Sequence, residues 1–307
     1  MRPDDHPENQ HEITRRSALG GAAAGALAGL SALSAGPAAA AAPRRRFQDK
    51  VVLITGATSG IGEATARAFA AEGAKVSFCG RRTQLGRKVE REIRAAGGEA
   101  TYIRADVRVP QSVESFVDRT VRLYDGLDIA FNNAGIQTTA LLHETTLEQW
   151  NDSTDTNARG VFLAMKYELP HMLRSGGGII VVNSSVGAIV GRPQLSTYQS
   201  TKQALQALVQ SAALEYGERG IRVNAILPGI TDTAMIRPPG LDDPTWERAT
   251  QALGQLNVDG LKRIAQPDEI AHAVLALCTD ELAYMTGASV PVDGGIAAGR
   301  RLLLPGQ

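Results

Sequence analysis

The stretch Val51-Val52-Leu53-Ile54-Thr55-Gly56-Ala57-Thr58-Ser59-Gly60-Ile61-Gly62 carries the architecture of this chain. Four apolar residues in a row, three of them β-branched, suit a strand and are too few for a helix. Because they do not alternate with polar residues, both faces of that strand should be covered. The glycines follow at once, and Ile61 to Glu72 continues as an alanine-rich helical pattern ending at Gly73. A strand, a glycine turn and a helix in that order bring backbone N–H groups to a helix N-terminus, where they and the helix dipole favour a diphosphate. The glycines here are spaced Gly-x-x-x-Gly-x-Gly rather than Gly-x-Gly-x-x-Gly.

The same alternation runs on through the chain. Val76 to Cys79 reads as a strand, Thr83 to Ala96 as a helix, Thr101 to Arg104 as a strand, Ser112 to Tyr124 as a helix and Leu127 to Phe131 as a strand. Leu147 to Arg174 is largely helical, Ile179 to Val182 a strand, Thr197 to Tyr216 a helix and Val223 to Leu227 a strand. Pro267 opens a helix through Leu277, and Ser289 to Val292 is a last strand. Strands alternating with helices predict an α/β fold, a doubly wound Rossmann-type parallel sheet of about seven strands with helices on both faces and right-handed crossovers. Residues 44–307 read as one such domain, without internal repeat or linker.

Composition narrows the functional classes. With 32 Lys+Arg against 32 Asp+Glu, the chain lacks the basic excess of a nucleic-acid protein. Its 307 residues suffice to bury roughly 70% or more of the unfolded surface. Cys79 and Cys278 make neither a disulfide framework nor a Cys-x-x-Cys site, and the five histidines show no paired-ligand spacing, so no metal is expected.

Residues 1–43 are a different polymer. Ser17 to Ala42 carries no charge and is mostly Ala, Gly, Leu and Ser; Arg15-Arg16 precedes it and an alanine run before Pro43 ends it. Positive start, apolar middle and small-residue end are the order of an export signal, and the paired arginines resemble the twin-arginine type. The expected destination is the periplasm or exterior, or the cytoplasm if the segment does not act. An uncleaved membrane anchor and an inert tail are the alternatives, since the run approaches the roughly 20 residues a bilayer requires.

From about Phe47 to Gly295 the chain resembles the short-chain dehydrogenase/reductase family, whose nucleotide loop reads TGxxxGIG, as Thr55 to Gly62 does here. The resemblance implies that Gly56, Ser59, Gly60, Ile61 and Gly62 hold the dinucleotide. Cys79-Gly80-Arg81-Arg82 stands after the second strand, where an NAD enzyme carries a carboxylate for the ribose. A guanidinium forks onto a 2′-phosphate that a carboxylate would repel, so Arg81 favours NADP, with NAD possible. Ser59 replaces the Arg or Lys of many NADP-using relatives, and Arg81-Arg82 also suits a solvated helix start. By resemblance Asp106 accepts a hydrogen bond from the adenine amino group beside Val107, although an Asp here also suits a helix cap. Asn132-Asn133-Ala134-Gly135 resembles the family's NNAG, with Asn133 and Ala134 on the adenosine side. Pro228, Gly229 and Ile230 would hold the carboxamide, and Thr233 a phosphate.

Tyr198 and Lys202 are four apart on a predicted helix and share a face. Ser185 ends a strand thirteen residues earlier, and the set resembles the family's Ser, Tyr-x-x-x-Lys constellation, with Asn157 as fourth member. The implied activity is hydride transfer between nicotinamide and a secondary alcohol or ketone, with Tyr198 as general acid/base. A free phenol has a pKa near 10, and Lys202 with the oxidised nicotinamide is expected to lower it. Lys202 would also hold the nicotinamide ribose, Ser185 the substrate oxygen, and Asn157 a relay water. Ser184 competes with Ser185, and the family's spacing to the tyrosine selects Ser185. A non-catalytic nucleotide-binding protein would lack part of this set, an epimerase would show TGxxGxxG, and an enoyl reductase a longer Tyr–Lys spacing. Ala234 to Lys262, with Pro238-Pro239-Gly240, Trp246 and Leu256, reads as a loop-like flap over the site; its Met235, Ile236 and Trp246 suit an apolar substrate or pack the flap down. His143 and Gln194 are weaker pocket candidates. A homodimer or homotetramer is implied, pairing the Ala158–Arg174 and Thr197–Tyr216 helices.

Overall fold

Residues 45–300 are described by a computed structural model. Seven parallel strands form one sheet: β1 (Val51–Ile54), β2 (Lys75–Gly80), β3 (Glu99–Arg104), β4 (Ile129–Asn132), β5 (Gly178–Asn183), β6 (Ile221–Pro228) and β7 (Ser289–Val292). Their order is β3-β2-β1-β4-β5-β6-β7. The side-chain period of two sorts each strand between two cores. Along β1, Leu53 joins one core while Val52 and Ile54 join the other; along β5, Ile180 and Val182 face one way and Val181 the other. Burial on both faces is what the unbroken apolar runs foretold.

Among the described residues the α-helices are α1 (Gly60–Ala71), α2 (Thr83–Ala95), α3 (Pro110–Tyr124), α4 (Leu147–Ser153), α5 (Gly160–Ser175), α6 (Ser196–Tyr216), α7 (Asp243–Asn257) and α8 (Pro267–Leu277). The core with Leu53 takes α3, α5 and α6 through Phe116, Leu163 and Leu205; the other takes α1, α2 and α8 through Phe69, Ile93 and Ile270. Capping explains several boundaries. Thr146 and Gln149 close a capping box at α4, Gln266 and Glu269 one at α8, and α5 ends on the left-handed Gly176.

Leu147 to Arg174 is helical as expected, with Thr154–Arg159 widening into a π-helical turn between α4 and α5. One expectation changes. The expected flap loop contains α7, started by Asp242, whose carboxylate accepts from Thr245 N at 2.7 Å, with Pro244 in the first turn. Asp-Asp-Pro-Thr is a helix-start signal, and its side-chain cap satisfies a donor the helix cannot. The expected signal of residues 1–43 lies outside the described residues, within which no helix is long and apolar enough to cross a membrane.

Candidate active site

β1 and β4 are neighbours although not consecutive, so the crossovers leaving them go to opposite sides and open a crevice at their carboxyl ends. A cleft of about 750 Å³ lies there, within the range of small-molecule sites. Gly56, Ser59, Gly60 and Ile61 line it. Gly56 has φ +69°, and a Cβ on it would stand 2.6 Å from Ala134 Cα. Only glycine meets both demands, so the turn after β1 can press against the loop after β4. Gly62 lies just behind the cleft wall, where a Cβ would come 2.5 Å from Asn133 Nδ2.

Ser59 occupies the N-cap position of α1 without making a capping bond. Its hydroxyl is instead engaged by Arg82 Nη2 at 2.6 Å, and Arg82 also reaches Thr58 Oγ1 from Nε (3.1 Å) and Nη2 (2.8 Å). The cation absent from position 59 is thus supplied by the second strand's end. Arg81 lines the same end of the cleft and makes no hydrogen bond or ion pair with another described residue. Asp106 and Val107 follow β3 at the cleft wall. Asp106 does not cap α3, whose N-cap is Val109. Its carboxylate is held by Arg108, Nη2 at 2.7 Å and backbone N at 3.1 Å, and those bonds keep it below the usual carboxylate range.

Polar bonds run from the glycine turn to the lysine. Asn133 Nδ2 donates to Thr55 O (3.0 Å) and Gly56 O (3.1 Å), and the Asn133 and Ala134 N–H groups reach Thr55 Oγ1 at 3.0 Å. Asn183 Nδ2 donates to Asn133 Oδ1 at 2.8 Å, and Lys202 Nζ donates to Asn183 O at 2.6 Å. Asn133 therefore braces the nucleotide turn as well as lining the cleft. Thr233 packs its methyl toward Gly60, and Pro228, Gly229 and Ile230 line the cleft from the end of β6.

Ser185, Tyr198 and Lys202 all line the cleft. Ser185 Oγ accepts from Gly187 N at 3.0 Å, and its hydroxyl faces the Tyr198 phenol. The Ser184 hydroxyl is spent, donating to Lys202 O at 2.9 Å and accepting from Gln206 Nε2 at 2.8 Å. Burial raises the Tyr198 phenol above its ordinary value, with the Ser185 hydroxyl acting in the opposite direction. Lys202 Nζ lies 5.8 Å from the centre of the tyrosine ring, and burial pushes its own pKa down to about 8. Loss of water disfavours the ammonium, yet at about 8 the group stays mostly protonated at neutral pH.

Asn157 is fully buried in the π-helical turn. Its Oδ1 accepts from Ile136 N (2.8 Å), and its Nδ2 donates to Ile136 O (2.9 Å) and Thr201 Oγ1 (3.0 Å). Both amide hydrogens are committed, so a relay water held by this side chain has only a remaining lone pair of Oδ1. That oxygen and Lys202 Nζ both face Gly135, standing 3.3 and 3.4 Å from where its Cβ would be.

Met235 and Ile236 line the cleft, joined by Leu253 of α7. Trp246 does not: it is 6% exposed, with Nε1 donating to Asp232 at 2.8 Å and Arg237 over its ring, so it packs the flap down. His143 and Gln194 stand outside the cleft lining. Sequence reasoning gave Arg82 no part beyond a solvated helix start and passed over Asn183 and Arg192. A polar Asn closing the apolar run of β5 was a usable signal, whereas nothing local distinguishes Arg192.

The family model described as Enoyl-(Acyl carrier protein) reductase matches residues 56–297. The cis-4-hydroxycyclohexanecarboxylate dehydrogenase of Sinomonas cyclohexanicum is 39% identical over 82% of this chain and 98% of that protein. The cyclohexanol dehydrogenase of Acinetobacter sp. strain SE19 is 35% identical over 81% of this chain and 95% of its own length. Among solved structures, levodione reductase superimposes with a TM-score of 0.77 at 36% identity, covering 83% of this chain and all 100% of its own.

Proposed function

The chain belongs to the short-chain dehydrogenase/reductase family and is an NAD(P)-dependent oxidoreductase of alcohols and ketones; from that premise we propose that it interconverts an alicyclic secondary alcohol and its ketone, with NADP preferred and Tyr198 as general acid/base. One observation carries this reading: Ser185, Tyr198 and Lys202 line the same cleft as the glycine turn and the Arg81-Arg82 pair. The residues fit a nicotinamide dinucleotide, because the turn at Gly56 excludes any Cβ and the β2 end offers guanidinium groups instead of a carboxylate. Gly56, Ser59, Gly60 and Ile61 would hold the diphosphate, Arg81 the 2′-phosphate, Asp106 and Val107 the adenine, and Pro228 to Ile230 the carboxamide. When bound, the dinucleotide supplies the hydride acceptor or donor.

The protein's own part is placement and proton transfer. Ser185 hydrogen-bonds the substrate oxygen. In oxidation the Tyr198 phenolate takes the hydroxyl proton as the carbonyl forms; in reduction the phenol returns it. Lys202, anchored to Asn183 O, keeps a positive charge beside the tyrosine ring and offers its remaining N–H donors to the nicotinamide ribose. The four-residue Tyr198–Lys202 spacing favours carbonyl and alcohol chemistry over enoyl reduction. The alicyclic substrate is supported by the relatives acting on cyclohexanol and hydroxycyclohexanecarboxylate.

The test is a panel of cyclic secondary alcohols and ketones assayed with NADP and NAD by reduced-nicotinamide absorbance. Tyr198→Phe is expected to lower kcat about 10²- to 10⁴-fold while dinucleotide affinity, read by fluorescence, is retained. Wild-type-like turnover in that variant removes Tyr198 from the mechanism, and equal kcat/KM with both dinucleotides removes the NADP preference. We further infer export of the folded enzyme by residues 1–43, supported by Arg15-Arg16 and the uncharged run after it; a reporter fused behind those residues that stays cytoplasmic defeats this. A homodimer or homotetramer is inferred from the apolar groove between α5 and α6, lined by Phe162, Ala204, Ala207 and Leu208.

A further inference from the structure

Three arginines line the cleft. Arg82 is bonded to Thr58 and Ser59, and Arg81 stands where a 2′-phosphate is proposed to bind. Arg192 is left without an occupation. It lies on the segment that follows β5 and Ser185, and that segment is fastened to the first turn of α6. Arg192 N donates to Gln199 Oε1 at 3.2 Å, and Gln199 Nε2 donates to Val190 O at 2.6 Å. Arg192 lines the cleft together with Ser185, Leu195 and Tyr198.

The Arg192 guanidinium makes no hydrogen bond or ion pair with any other described residue, although it is half-buried. Burial and the nearby positive charge of Arg300 both disfavour its charged form. The only carboxylate among the cleft-lining residues is Asp106, committed to Arg108 beside β3. Val186, Leu195, Met235 and Ile236 line the cleft as well, giving it apolar wall. A guanidinium with little water, a like-charged neighbour and apolar surroundings is costly unless an anion joins it. Its planar fork matches a carboxylate with two parallel charge-assisted bonds.

We propose that the substrate is a secondary alcohol or ketone carrying a carboxylate on an apolar, ring-sized body, and that Arg192 binds that carboxylate while the hydroxyl or ketone oxygen meets Ser185 and Tyr198. This deepens the dehydrogenase reading and rests on it for where the oxygen lies; the anion site itself stands on Arg192 alone.

The experiment has a kinetic arm and a binding arm. In the first, kcat/KM for cis-4-hydroxycyclohexanecarboxylate and for cyclohexanol is measured in wild type, Arg192→Leu and Arg192→Lys. Wild type is expected to favour the carboxylate-bearing alcohol about ten- to hundredfold, mainly through KM, the scale of a hydrogen-bonded charge. Arg192→Leu should bring the ratio between the two alcohols close to one, and Arg192→Lys should restore part of it. In the second arm, cyclohexanecarboxylate, which has no hydroxyl to react, is titrated calorimetrically into the dinucleotide-loaded proteins, and Arg192→Leu should weaken it by a similar factor. A wild-type ratio near one, or a ratio and an affinity that Arg192→Leu leaves in place, overturns the proposal. Turnover of cyclohexanol with no role for Arg192 sinks the anion site and spares the dehydrogenase reading. Arg192-dependent binding of cyclohexanecarboxylate without turnover of either alcohol does the reverse.

Discussion

At the end of β2 two guanidinium groups follow one another in different surroundings. Arg82 is tied back to Thr58 and Ser59 and so shapes the nucleotide turn, whereas Arg81 is exposed at the cleft wall with its donors open. Discrimination between the two dinucleotides should therefore rest on Arg81. Arg81→Asp removes a charge-assisted contact to a 2′-phosphate and places a like charge there, so kcat/KM with NADP should fall about a hundredfold or more. NAD should become the better cofactor, because the new carboxylate can accept from the ribose hydroxyls. Steady-state kinetics with both dinucleotides checks this; an unchanged preference would move the selectivity to Arg82. Tyr198 and Lys202 teach a related lesson. Their spacing is legible in the chain, but the direction of each pKa depends on burial that spacing does not encode.

Between β4 and α5 lies an acid that the proposed chemistry does not use. Glu168 of α5 is fully buried, and Asn132 Nδ2 donates to its Oε2 at 2.9 Å. Glu168 Oε1 and Asn132 Oδ1 are both buried without a partner, so a neutral carboxylic acid supplies the donor that a carboxylate lacks. Burial pushes its pKa up from 4.5 to about 8, against the pull of the Asn132 bond. With the folded value above the unfolded one, the stabilisation is complete below the unfolded value and is lost as pH rises through about 8. Glu168→Gln keeps a donor at every pH, so its melting temperature should fall less than that of wild type between about pH 5 and about pH 8. Thermal melts across that range decide it, and parallel declines in the two proteins would count against a buried proton. At this scale the periodic elements were readable and the exceptions were not. The π-helical turn that seats Asn157 has no sequence signature distinct from a helix, and α7 was hidden among the prolines before it, although Asp242 and Pro244 mark its start.

For the molecule as a whole, the α5 and α6 faces form an apolar groove apart from the cleft. Phe162 is 48% exposed beside Ala204, Ala207 and Leu208, which suits two copies packing these helices together. Phe162→Arg should shift the protein toward monomer in light scattering at micromolar concentration. A variant that keeps the wild-type mass would place any self-association elsewhere. The order of strands and helices, the side-chain alternation along β1 and β5, and the glycine turn all follow from local patterns, since period and turn chemistry act over a few residues. The membership of Ser185, Tyr198 and Lys202 in one set came from the family resemblance, and the fold brings all three to one cleft. What only the tertiary structure decided is which side chains are already engaged when the pieces meet. Ser184 is spent on α6, Asn157 on Ile136, Trp246 on Asp232 and Arg82 on the nucleotide turn, while the Arg192 guanidinium meets no partner among the described residues. Those outcomes depend on partners 14 to 23 residues away, and on the loss of water around them, which no neighbouring residue in the chain records.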